Sequence, residues 1–303
     1  MPTEPYDTDQ IARGARAGPP VVPALAGYTG HLLRAAFVAA QDYARGELPG
    51  DTHPREFGML AILAGTGPLS QQQLGELLDV NRTIMVHVAD RLEAAGLLER
   101  RRNPADRRSY ALQPTEEGLA WLSRIAPAIQ QAEAGFTAPL EKGGRERLNT
   151  LLRTLLEGFG HEPPAPVTDR TGYLLAATHM RIRDRFETGI EPLGLDPRQF
   201  GALATIVAAA PCSQQLVAQQ LGVTGPVVVQ IVDELEAAGL VERRRNPADR
   251  RSYALQPTAK GRATLRRGQA VADALNAQIA EPLGADGNEE LQGLLRKLLR
   301  LDG

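Results

Sequence analysis

The sequence predicts a mainly α-helical protein with small β-hairpins, built as two copies of one domain in a single chain. Three observations predict it. Residues 92–115, LEAAGLLERRRNPADRRSYALQPT, recur at 235–258, and only Leu98, which becomes Val241, breaks the identity. The repeat distance of 143 residues is about half of the 303-residue chain, far longer than one unit of a stacked solenoid. Around the repeated block, apolar residues fall at helical spacing, while the block itself reads as two strands flanking a turn-rich NPAD.

Composition supports two folded domains. A hydrophobic fraction of 43% is enough for real cores and excludes a disordered chain. The net charge of −2 says little, because a near-neutral sum can hide a local basic patch. No apolar run approaches the roughly 20 residues needed to span a bilayer, so no membrane partner is expected. The start, MPTEPYDTDQIARGARAGPP, is polar and Pro/Gly-rich with no apolar core after its charges, so residues 1–26 read as a flexible tail rather than a signal peptide. The single cysteine, Cys212, forbids an intrachain disulfide and fits a reducing cytoplasm.

The elements follow in order. Residues 30–47 form a first helix, with Leu33, Phe37 and Ala40 near helical spacing. Pro54 opens a second helix running through Ala64. Ser70 is suited to cap QQQLGELL, and Asn81 to cap RTIMVHVADRLEAA, which stops at Gly96. LLERRR and RRSYAL make the hairpin. Thr115 caps a long helix that Pro127 breaks or kinks. A last helix, RERLNTLLRTLLEG, carries its leucines on one stripe. Copy two repeats this order, with Ala270 where copy one has Pro127. The domains are expected at 27–160 and 170–303. The Pro-rich linker between them, 161–169, would span close to 30 Å if its roughly nine residues ran in polyproline geometry.

Two short helices with a tight turn, followed by a hairpin, make a winged helix-turn-helix. Its second helix can enter a major groove and its hairpin an adjacent minor groove. The wings carry Arg100, Arg101, Arg102, Arg107 and Arg108, matched by Arg243, Arg244, Arg245, Arg250 and Arg251. Arginine at a hairpin tip suits the negative potential of a narrow minor groove. Asp106 and Asp249 lie two residues before an arginine and are placed to hold a guanidinium. A merely solvated charged hairpin is the alternative; the wing context and the repetition favour DNA.

These residues resemble the MarR family of bacterial transcriptional regulators. The resemblance rests on the helix-turn-helix, then LEAAGLLERRRNPADRRSYALQPTEEG, then long helices, and covers nearly all of both copies. The family's D-x-R wing element is present as Asp106-Arg107-Arg108 and Asp249-Arg250-Arg251. The resemblance implies that the copies are the two halves of a homodimer fused in one chain. A single chain would then act as a pseudo-dimer, its leucine-rich helices 145–157 and 289–300 pairing and its two DNA-reading heads about one DNA turn apart. It also implies a small aromatic effector, bound between the dimerisation helices and the DNA-reading lobe, that releases a repressor from its operator.

The recognition helices depart from the family pattern, which commonly has a hydroxyl residue at Val86 and Val229 and often an arginine at His87 and Gln230. Placing Met85, Val88, Ala89 and Leu92 inward leaves Arg82, Thr83, Val86 and His87 facing out. In copy two, Val228, Ile231, Val232 and Leu235 face in, leaving Gly225, Pro226, Val229 and Gln230 out. Either the valines touch thymine methyls while Arg82 or Gln230 reads base edges, or they pack on protein and base readout is weak. With Asn81, Thr224 and the wing residues Arg107, Arg108, Arg250 and Arg251, these are the candidate DNA contacts. The copies differ here, which predicts an imperfectly symmetric operator.

Candidate effector contacts are His31, Arg34, Phe57 and Met59 in copy one and Tyr173, His179, Met180 and Phe200 in copy two, with ordinary core packing as the alternative. Cys212 stands where copy one has Leu69, which favours a buried thiol over a peroxide sensor. Nothing calls for a cofactor, and there is no metal-spaced His/Cys set, phosphate loop or nucleophile triad, so no enzyme is expected. The competing readings are a ligand-binding protein or enzyme on the same scaffold that has lost DNA recognition, or a partner-binding module.

Overall fold

The protein's structure, a computed structural model, describes residues 21–50, 52–78, 82–102, 110–246 and 249–301, with the side chains of 246 and 249–252 left aside. It is mainly helical with two small antiparallel sheets. Two compact units divide it. Unit 1 holds Ala36–Arg181 and the segment from Gly293 onward, while unit 2 holds the segment up to Ala35 and Ile182–Gln292. Each unit therefore draws on both sequence copies.

Unit 1 takes most of helix α1 (Thr29–Glu47), then α2 (Pro54–Thr66). Pro54 sits in the first turn of α2, and a capping box fixes its start: His53 Nδ1 accepts from the Arg55 amide at 3.1 Å, and Glu56 accepts from the His53 amide at 2.9 Å. Strand β1 (Leu69–Ser70) leads into α3 (Gln71–Leu78). Ser70 caps α3 by accepting from the Gln73 amide at 3.2 Å. Next along the chain is α4 (Arg82–Ala94), whose Met85, Ala89 and Leu92 are buried at helical spacing; Val88, expected inward, is only partly buried. Asn81, the expected cap of α4, lies outside the described residues. Strands β2 (Leu98–Arg102) and β3 (Tyr110–Pro114) pair from Leu98 with Pro114 to Arg102 with Tyr110, and β1 joins the free edge of β3.

Helix α5 (Glu116–Thr137) starts as the sequence predicts, with Thr115 Oγ1 accepting from the Gly118 amide at 3.0 Å. It runs through Pro127 without a break, so of the break or kink expected there the break does not occur. Proline removes one hydrogen bond and crowds one carbonyl, and the buried stripe Trp121, Ile125, Ile129 and Phe136 holds the helix together across that defect. The leucine stripe of α6 (Gly144–Gly158), from Leu148 to Leu156, is buried.

The segment 161–169 is not an extended spacer. Ala165–Val167 forms a 3-10 turn, Val167 is 1% exposed in the core of unit 1, and Pro166 lies against Gly65 of α2, where an added Cβ would meet Pro166 Cγ at 2.1 Å. The first half of α7 (Thr171–Ile190) completes the unit.

Unit 2 repeats the plan. Its core takes in Val22 and Leu25, 1% and 5% exposed, from a 3-10 turn at Pro23–Leu25. This corrects the flexible-tail expectation for residues 21–26; the apolar run VVPAL has a core to enter. Helix α8 (Pro197–Ala209) carries an Asp196/Gln199 capping box, and α9 (Gln214–Leu221) is capped by Ser213. Helix α10 (Gly225–Ala237) buries Val228, Ile231, Val232 and Leu235. Strands β4 (Val241–Asn246) and β5 (Asp249–Pro257) form the second hairpin. Cys212 bridges to Leu255 through two backbone hydrogen bonds, standing where β1 stands in unit 1. The long α11 (Ala259–Leu298) breaks at Gly284, whose φ of 71° and ψ of 165° leave the helical region.

Candidate nucleic-acid interface and effector cavity

Most of the residues assigned to the outward faces of α4 and α10 are exposed. Arg82, Thr83 and His87 are exposed on α4 and Val86 is half-buried. On α10, Gly225, Pro226 and Gln230 are exposed, Thr224 is half-buried, and Val229 stands 44% exposed. An exposed valine on a helix whose other valines are buried has a face to offer an apolar partner. Gln230 is steadied by a 3.0 Å bond to Glu234, which also accepts from Gln199 at 2.8 Å. Asp106, Arg107 and Arg108 lie outside the described residues. Asp249, Arg250 and Arg251 lie on β5, with their side chains outside the description.

The wing arginines divide into two kinds. Arg100 does not face outward as a free cation; it pairs with Glu93 and, at 2.5 Å, with Asp90, both on α4. Arg243 pairs in the same way with Glu236 and, at 2.5 Å, with Asp233 on α10. Burial works against the Arg243 charge, but the hydrogen bonds it donates to Asp233 and Glu236 overcome this and raise its pKa. Each of these arginines ties its wing strand to the helix before it. The signal was in the sequence: an Asp-x-x-Glu pair occurs in both recognition helices, 143 residues apart. Arg101 and Arg244 stay mostly exposed, at 66% and 62%. Two exposed aromatic residues that the sequence did not single out stand on the same wings: Tyr110 and Tyr253, opposite Arg102 and Arg245, are each 55% exposed.

A cavity of about 140 Å³ opens inside unit 1, between α1, α2, α4, α5 and the start of α7. That volume is close to one that takes up a benzene molecule. Phe37, Ala44, Phe57, Ile129, Ala132, Phe136 and Met180 give it apolar walls. Its polar side is a charge cluster: Glu133 accepts from Arg145 at 3.0 Å and from Arg170 at 3.2 Å, and Arg170 lies 5.5 Å from the centre of the Phe57 ring. One carboxylate between two guanidiniums leaves an excess positive charge beside an apolar slot. Arg170 went unsuspected because it stands at the very start of the second expected domain, next to the segment read as a linker.

Of the expected effector contacts, Phe57, Tyr173 and Met180 line this cavity together. Met59 is core, and His179 stacks on Phe37 with ring centres 5.1 Å apart. His31, Arg34 and Phe200 belong to unit 2. There His31 Nε2 accepts from the Val22 amide at 2.9 Å, and burial, then the Arg34 charge, lowers its pKa to about 3. Arg34 donates to the Leu221 carbonyl at 3.3 Å. The expectation grouped contacts by copy; the structure groups them across copies.

One relay joins the cavity wall to the helix-turn-helix. Tyr173 donates to the Leu77 carbonyl, at the end of α3, at 2.7 Å. His161 Nε2 lies 3.0 Å from the Tyr173 hydroxyl, and Arg181 lies 2.8 Å from His161 Nδ1. Arginine can only donate, so the neutral ring holds its proton on Nε2 and passes the bond on to Tyr173. Burial, then the Arg181 charge, lowers the His161 pKa to about 4. Cys212 is buried, and burial pushes its thiol up, away from a reactive thiolate.

Comparison with known proteins adds the family. Models of the MarR family match residues 53–110 and 193–252, one in each copy. A putative transcriptional regulatory protein for the hcr operon of Thauera aromatica is 35% identical over 134 residues, covering 44% of this chain and 81% of that protein. The HTH-type transcriptional repressor Rv2887 of Mycobacterium tuberculosis (strain ATCC 25618 / H37Rv) is 31% identical over 127 residues, covering 42% of this chain and 91% of that protein. Among solved structures, the transcriptional repressor CouR bound to a 23-mer DNA duplex is 34% identical, covering 43% of this chain and 93% of its own, with a TM-score of 0.41. Each relative spans about one copy. Among the described residues no helix is long and apolar enough to cross a membrane.

Proposed function

The chain belongs to the MarR family, and from that premise we propose that it is a DNA-binding transcriptional repressor released by a small aromatic effector. It carries both DNA-reading heads in one polypeptide and acts as a covalent pseudo-dimer in the cytoplasm. The exposed faces of α4 and α10, each beside an arginine-bearing wing, carry this reading. The cavity in unit 1 supports the effector half: one aromatic ring with an acidic substituent suits its size, its walls and its excess of guanidinium over carboxylate. An effector lying against Tyr173 would strain the bond to Leu77 and so bias the position of α3 and α4.

The experiment is a salt titration of binding to operator DNA recovered from genomic fragments. Binding should weaken steeply with salt as neutralised phosphates regain their counterions. Arg108→Ala with Arg251→Ala should abolish tight binding with the helical circular-dichroism signal unchanged. Salt-insensitive binding, or full affinity in the double variant, refutes the reading.

A further inference from the structure

The two copies do not build two equal chambers. By sequence alignment of the copies, the positions that open the unit 1 cavity carry different residues in unit 2. Ala44 corresponds to Phe186, Ala132 to Leu275, and Ala176 to Arg34. All three changes put bulk where unit 1 has a methyl group. The Phe186 ring lies edge-on to Phe200, 5.1 Å between centres at 72°, and Phe200 is 3% exposed. Phe200 also lies hard against α11, since a Cβ on Gly268 would come 2.7 Å from its ring. Leu275 is buried, and the Arg34 guanidinium is tied to the Leu221 carbonyl.

The polar side changes with the bulk. Glu133 and Arg170 of unit 1 correspond to Asn276 and Tyr28. In unit 2 Asn276 accepts from the Thr29 amide at 3.2 Å, and Tyr28 donates to Asp273 at 3.0 Å. The guanidinium that lies against the ring in unit 1 is thus replaced by a phenol bonded to a carboxylate.

We infer that the chain holds one effector and not two: the unit 1 cavity takes a single-ring aromatic anion, while its unit 2 counterpart is plugged by the protein's own Phe186, Leu275 and Arg34. The inference rests on the effector reading above for the ligand's charge, and on packing alone for the asymmetry. Unit 2 is then a permanently filled head, and one ligand per chain acts through unit 1, without cooperativity between sites.

Crystals of the full chain, soaked separately with iodobenzene and with 4-iodobenzoate, test this. Iodobenzene senses apolar space alone and should give one iodine site per chain, beside Phe57 and Phe136. Iodine beside Phe200, or at neither place, overturns the inference. Iodobenzene at the expected place with 4-iodobenzoate bound nowhere keeps the asymmetry and sinks the aromatic-acid effector. In solution, Ala44→Phe should copy the plug into unit 1 and lower 4-iodobenzoate affinity at least tenfold with circular dichroism unchanged; undiminished binding by the folded variant overturns the assignment.

Discussion

At the scale of single residues, identical letters in the repeat hide different duties. Arg100 and Arg101 are neighbours in a run of three arginines, yet Arg100 is tied to Asp90 and Glu93 while Arg101 is 66% exposed. Sequence shows the charge run; the pleat of the strand decides which arginine turns back to the helix. His161 is similar. Nothing around it in HEPPAPVTD marks it out, but the fold buries it between Arg181 and Tyr173. Its pKa, about 4 against an ordinary value near 6.5, has a stability consequence. Between those values the unfolded chain binds a proton that the folded one rejects, so stability should fall as pH drops from about 6.5 towards 4. The slope is at most about 1.4 kcal/mol per pH unit for each such histidine. His31, held down to about 3, adds to it over the same window. Urea unfolding of His161→Asn between pH 5 and 6.5 should show a shallower dependence than the parent chain; an equal slope contradicts the burial argument.

At the scale of elements, most of the secondary structure was legible because local chemistry sets it. Ser70, Thr115 and Ser213 mark helix starts through bonds each makes within three residues, and Pro54 through its fixed φ, so no tertiary knowledge was needed. The unbroken helix at Pro127 has the opposite cause: the local tendency to break gives way to the buried stripe of α5. The junction from hairpin to helix shows both at once. Thr115 and Thr258 cap, and the glycine three residues later in each copy lies over a backbone carbonyl. A Cβ on Gly118 would stand 2.1 Å from the Leu97 carbonyl oxygen, and one on Gly261 2.0 Å from that of Leu240. Gly118→Ala should therefore destabilise the fold by about 1–3 kcal/mol, as overpacking does. Chemical denaturation measures it, and an unchanged midpoint disproves the close approach.

At the scale of the whole molecule, the copies are not the units. The core of unit 1 includes Val167, and its cavity includes Tyr173 and Met180, all from beyond the end of the first copy at residue 160. Residues 1–160 expressed alone should leave that apolar slot open and associate or aggregate. Co-expression with 161–303 should restore a soluble complex; a well-behaved isolated 1–160 monomer by light scattering contradicts the division. The unlike faces of α4 and α10 set a further expectation, an operator with different half-sites. Selection from random DNA that returned a perfect inverted repeat as the optimum would sink it.

The duplication, the helix order, the caps at Ser70, Thr115 and Ser213 and the strand pairs of the hairpins could be read from the sequence, because each rests on contacts within a few residues or on simple periodicity. Only the three-dimensional packing shows which segments share a core, and that Phe57 meets Tyr173 and not His31 across a cavity. Those depend on residues more than 100 positions apart meeting in one unit, and spacing along the chain carries no record of such meetings.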